Sequence, residues 1–142
     1  MPSKQSARRG IMGAVLDHVT VTASDFAASL RFYDATLVTL GLHRLHELGD
    51  EEEDDPVVEV AAYGRDDAAA LWLTSGTVAT SGVHLAFRAD SASQVERFHA
   101  AALDAGGTSH DAPRRWPIFR RGQFNAIVRD PDGNLIEAIG PE

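Results

Sequence analysis

VLDHVTVTAS at residues 15–24 and TSGVHLAFRAD at residues 80–90 decide the fold. Each stretch alternates apolar and polar residues with period two, the pattern of a strand with one buried face. Each then runs into a polar helix start. The likeness extends beyond the strands. At a displacement of 66 positions His18 meets His84, Arg31 and Phe32 meet Arg97 and Phe98, Ala35 meets Ala101, Leu37 meets Leu103 and Gly41 meets Gly107. One supersecondary unit is therefore used twice.

The first unit opens with a strand near residues 14–22. Ser24 or Asp25 can cap the helix that follows, in which Phe26, Leu30, Tyr33, Leu37 and Leu40 recur at helical spacing before Gly41 ends it. Strand-like runs come next near 42–48, 57–63 and 69–74. The second unit repeats the order. A strand near 82–89 leads to a helix near 91–105, capped by Asp90 or Ser91 and stopped at Gly106-Gly107. Strands are expected near 107–110, 123–129 and 134–140. Between the last two, Asp130-Pro131-Asp132-Gly133 has the Pro and Gly that a type I turn asks for. The reading is an α+β domain of two βαβββ modules, residues 14–75 and 81–140. A tail over 1–13 is expected to be disordered.

Alternation also assigns faces. Val19, Val21, Val83, Leu85 and Phe87 should lie under the helices, which turns His18 and His84 to the other side of the sheet. Glu137 should share a face with Leu135 and Ile139, and Gln123 one with Asn125 and Ile127. If the two half-sheets curl around one cavity, His18, His84 and Glu137 can meet there. Periodicity alone does not supply that step.

Composition narrows the chemistry. The 142 residues include no cysteine, which excludes disulfides, thiolate metal sites and a cysteine nucleophile. Any metal must be held by His, carboxylate and water. A net charge of -8 argues against a nucleic-acid binder, although seven of the acids crowd into Glu47–Asp55, a run read as a solvated connection. No apolar run is long enough to span a bilayer, and no apolar segment follows Arg8 and Arg9 as in a secretory signal. No membrane partner is expected, and the expected location is cytoplasmic.

LDHVTV, RFYDATLVTLGL, GVHLAFRA, RFHAAALDAGG and RDPDGNLIEAI, in that order, resemble the vicinal oxygen chelate superfamily of glyoxalase, bleomycin-resistance and extradiol dioxygenase proteins. The resemblance covers nearly all of residues 14–140. It implies paired modules forming a cup-shaped sheet around a divalent metal, and a homodimer. His18, His84 and Glu137 match three metal-ligand positions of lactoylglutathione lyase-like members. The fourth falls on Trp72 by the family motif and on Leu71 by the ungapped repeat, and neither side chain can bind a metal. Two His and one carboxylate remain, the facial set of non-haem iron enzymes.

The resemblance thus implies a metal-dependent enzyme, dioxygenase-like or lyase/isomerase-like, using Fe, Mn, Ni or Zn on a small oxygenated substrate bound through vicinal oxygens. The alternative is a metal-free, antibiotic-sequestering protein of the bleomycin-resistance type. Trp72, Gln123, Phe124 and Asn125 are candidate substrate contacts in either case. Glu59 is a candidate base if its strand faces the cup. Arg114, Arg115, Arg120 and Arg121 read as a solvated basic loop, with an anion clamp as the rival reading.

Overall fold

The computed structural model describes residues 15–48, 58–116 and 122–142. β1 (Val19–Ala23), α1 (Phe26–Leu37), β2 (His43–Leu48), β3 (Val60–Arg65) and β4 (Ala68–Ser75) make the first module. β5 (His84–Arg88), α2 (Ala92–Asp104), β6 (Thr108–Arg115), β7 (Gln123–Arg129) and β8 (Leu135–Pro141) make the second. Each module is a four-stranded mixed sheet in the order β1-β4-β3-β2 or β5-β8-β7-β6. In each, the outer pair is parallel, β1 with β4 and β5 with β8. The helix supplies the crossover that a parallel pair requires.

Local chemistry explains the helix limits. Asp25 caps α1 by accepting from the Ala28 amide, and Ser91 caps α2 by accepting from Gln94. Ser24, the other candidate cap, instead donates its hydroxyl to Asp132 of the second module. A 3-10 turn at Val38–Leu40 follows α1, and Gly41 closes it at φ 80°, a left-handed conformation that favours glycine.

The core lies between the helices and one face of each sheet. Val21, Leu71, Leu73, Ile136 and Ala138 from the strands meet Phe32, Leu37, Val95 and Phe98 from the helices, all at most 1% exposed. Burying a side chain of the Val, Leu or Phe class stabilises by about 1.5–3 kcal/mol. The modules are also tied by polar contacts. The Tyr33 hydroxyl of α1 donates to Asp130 Oδ2 at 2.5 Å, and Asp130 directly follows β7 of the other module. Burial first, and the Asp130 charge second, push the Tyr33 phenol well above its ordinary value of 10.0. It therefore remains a donor.

Two expectations change. β6 runs to Arg115 rather than stopping near residue 110. It is an edge strand with an irregular register, which is where a proline such as Pro113 is tolerated. Arg114 and Arg115 are accordingly strand residues. Arg114 stacks over the Trp116 ring at 4.2 Å, and Arg115 reaches Glu142 at 3.8 Å. Arg120, Arg121 and most of the acidic run lie outside the described residues, as does the tail.

Candidate functional site

The strand registers build the site from two unequal halves. In the second module Ala86 stands beside Glu137 and His84 beside Leu135, so His84, Ala86, Leu135 and Glu137 share a face. Ile136 and Ala138, the alternate positions, are fully buried in the core. Glu137 is buried too, 3% exposed, although it points away from the helices. A buried carboxylate must be hydrogen-bonded. His84 Nε2 lies 2.7 Å from its Oε1, and the Asn125 side-chain amide donates to its Oε2 at 2.8 Å.

The first module has the same geometry with different chemistry. Thr20 stands beside Trp72 as Ala86 stands beside Glu137. Trp72, not Leu71, therefore occupies the position equivalent to Glu137; Leu71 is fully buried in the core. His18 sits just ahead of β1, and its ring meets the Trp72 ring edge-on at 6.4 Å. Its Nδ1 is 2.8 Å from the Asp17 carboxylate.

The structure thus brings His84 and Glu137 together and leaves His18 with Trp72. Among the described residues of one chain, no three His, Asp or Glu side chains gather to hold a metal ion. β1 and β5 belong to different sheets and are not hydrogen-bonded neighbours, so no strand pairing sets His18 beside His84 among the described residues. The available donors, an imidazole nitrogen and a carboxylate oxygen already facing each other, fit a divalent ion in ligand type and orientation. Asn125 holds the far carboxylate oxygen, as outer partners of metal-ligating groups do.

The substrate candidates separate. Gln123 and Asn125 share the face of Glu137, opposite Pro141 and Ile139 of β8. Gln123 Oε1 and Asn125 Oδ1 are both buried without a hydrogen-bond partner among the described residues. Phe124 does not join them. It is the alternate position of the same strand, so its ring packs against the hydrophobic core. Glu59 is likewise displaced from the cup. It lies outside β3 and is tied to Ser75 through its backbone, at the parity of core-facing Ala61. Arg88 was not singled out by its sequence, yet it lies on the face of His84 and Glu137, opposite Ile139. Its spacing of four from His84 on an alternating strand was the available signal.

The arrangement of repeated modules can be compared with known proteins. A profile of the Glyoxalase/Bleomycin resistance protein/Dioxygenase superfamily matches residues 15–138. The chain belongs to that superfamily. A glyoxalase/bleomycin resistance protein from Albidiferax ferrireducens T118 is 32% identical, with a TM-score of 0.67 over 89% of this chain and 98% of its own. A point mutant of glyoxalase I from Zea mays is 20% identical, with a TM-score of 0.63, covering 89% of this chain and 46% of that one. A point mutant of the fosfomycin resistance protein FosX from Listeria monocytogenes, in complex with Mn(II) and 1S,2S-dihydroxypropylphosphonic acid, is 16% identical. Its TM-score is 0.61, over 88% of this chain and 90% of its own. The last two show a shared fold. A search of curated proteins finds no match. Among the described residues no helix is long and apolar enough to cross a membrane.

Proposed function

We propose that this superfamily member is a metal-dependent enzyme acting on a small oxygenated substrate bound through vicinal oxygens. His84 and Glu137 of one copy and His18 of a second copy would hold a divalent ion, Fe, Mn, Ni or Zn, in a homodimer. The observation that supports this best is the buried Glu137 carboxylate with His84 Nε2 at 2.7 Å. A carboxylate in the middle of a strand is costly to bury, and a packing role would be served as well by an apolar residue. Bringing in His18 from a second copy follows from its separation from the pair within one chain.

Two neutral imidazoles and one carboxylate would leave a single positive charge on the ion and open positions for two substrate oxygens. When bound, the ion would supply Lewis acidity and a template for those oxygens. The chain's own residues do the rest. Asn125 fixes the Glu137 carboxylate through Oε2, and Trp72 offers a flat wall beside His18. The FosX complex, with Mn(II) and a molecule carrying two adjacent hydroxyls, lends the fold a precedent for this class of ligand. We assign the enzyme to the cytoplasm.

Metal analysis after anaerobic loading with Fe(II), Mn(II), Ni(II) or Zn(II) is the test. About one ion per site is expected, lost in His84→Ala and in Glu137→Ala and weakened in His18→Ala. Loading unaffected by His84→Ala and Glu137→Ala together refutes the site. A second reading, a metal-free small-molecule binder, is favoured by one observation: Trp72 stands where a fourth ligand would. It predicts ligand-induced thermal shifts that are the same with and without chelator, and no turnover.

A further inference from the structure

The face that carries His84 and Glu137 continues past them. β5 turns His84, Ala86 and Arg88 to one side, and β7 adds Gln123 and Asn125 beside them. Over this end of the sheet lies a cavity of about 480 Å³, lined in part by Ala86, Arg88, Gln123, Ile139 and Pro141. That volume suits a small ligand.

Two properties of the wall indicate what the ligand must offer. Arg88 is exposed and has no ion-pair partner among the described residues, so its guanidinium fork is available to an anion. Gln123 Oε1 is buried and accepts no hydrogen bond among the described residues. A buried acceptor in that state calls for a donor, which a ligand can bring in place of water. An anion with a nearby O–H or N–H supplies both needs.

We propose that Arg88 and Gln123 form the far end of the substrate site, and that the substrate is a small carboxylic acid. Arg88 clasps the carboxylate in a two-pronged hydrogen-bonded pair, the geometry for which its planar fork is suited. Gln123 Oε1 accepts from a hydroxyl or amine next to it. The strand sets the ligand's length. Ala86 is the neighbour of Glu137, and Arg88 lies two residues further along β5, about 6.6 Å at strand rise. That is close to the span of a six-membered ring between adjacent oxygens at one end and a carboxylate at the other. Only the adjacent-oxygen end rests on the metal reading above; the acid end stands on the cavity.

The test is calorimetric titration of the full chain, loaded with Mn(II), with 3,4-dihydroxybenzoate and with 3,4-dihydroxybenzamide, its neutral counterpart. The acid is expected to bind at least about tenfold tighter, the gain of a charge-assisted pair. In Arg88→Gln the two affinities should come within about twofold, with the amide unchanged, while Arg88→Lys keeps part of the preference. Because Arg88 is exposed, both variants should melt like the parent, which circular dichroism checks. Repeating the titrations with chelator and in His84→Ala reads the other end. A preference for the acid that persists when metal dependence is absent refutes the metal reading and leaves this one standing. Equal affinities in the parent, a preference untouched by Arg88→Gln, or no binding of either probe overturns the proposal.

Discussion

Replacing Glu137 in two ways separates what its carboxylate does for the fold from what it does for the site. Glu137→Gln keeps the shape. Its amide oxygen can accept from Asn125, as Oε2 now does at 2.8 Å. Its amide nitrogen can donate to His84 Nε2 when the ring carries its proton on Nδ1. Both contacts survive and a buried charge is removed, so stability should change by no more than about 1 kcal/mol in either direction. Glu137→Ala is different. It strands the Asn125 amide, whose Oδ1 is already without a partner among the described residues, and empties a site that is 3% exposed. An unsatisfied buried donor costs about 1–3 kcal/mol, and the lost packing adds to it, so about 3 kcal/mol is expected. For 142 residues, an unfolding entropy of about 0.3 kcal/mol/K turns that into a fall of about 10 °C in Tm. Thermal melts of metal-free protein, with denaturant titration as a second measure, read the difference. Metal loading should be lost in both variants. A Glu137→Gln protein as unstable as Glu137→Ala would refute the reasoning, because the negative charge itself would then be holding the fold.

Other outcomes follow from contacts away from the pair. Tyr33→Phe removes a buried donor from Asp130 and should cost about 1.5–3 kcal/mol, or about 5–10 °C in Tm. The parent holds this phenol's pKa above 10.0, so the unfolded chain releases that proton more readily. Stability from this group is full below pH 10.0 and declines above it, and Tyr33→Phe should flatten that alkaline limb in pH-dependent melts. His99, whose Nε2 lies 2.8 Å from Ser109 Oγ, has its pKa lowered from 6.5 by burial. The unfolded chain then takes the proton more readily, so stability is full above 6.5 and declines as pH falls through the lowered value. His99→Gln should make that acid slope shallower in urea titrations across the same range. Gly107→Ala would set a Cβ 2.5 Å from the Phe32 ring and 2.9 Å from two backbone oxygens. With helix and strand both in the way, a loss of about 2 kcal/mol or more is expected in a denaturant melt.

The sequence made the modules legible because their strands alternate cleanly and their helices carry caps. β7 occupies the expected residues 123–129, and α2 lies one residue inside each expected limit. Alternation also put His84 and Glu137 on the cup face and Ile136 in the core. What stayed hidden depended on longer-range geometry. The ungapped repeat points to Leu71 because it assumes equal loop lengths, whereas the strand register selects Trp72. β6 looked short because Pro113 and its polar neighbours obscure an edge strand. Whether His18 reaches His84 depends on how the modules pack, which period-two reasoning does not address. Arg88 went unnoticed because a lone strand arginine has no meaning until a cavity and an unpaired acceptor stand beside it.

Surface turns usually tolerate insertions and deletions, but the turn between β7 and β8 should not. Asn134 is fully buried. Its side chain accepts from the Val83 amide and donates to the Thr80 carbonyl and to Asp130. The Leu135 amide then bonds to the Val83 carbonyl, which starts the pairing of β8 with β5. One turn residue thus sets how far β8 has advanced when it meets β5. A single residue added after Asn134 would shift β8 by one position, turning Glu137 into the core and Ile136 out to the cup. Length variation in this protein should therefore concentrate in other loops, and the count of residues from Asn134 to Glu137 should be among its least changeable features.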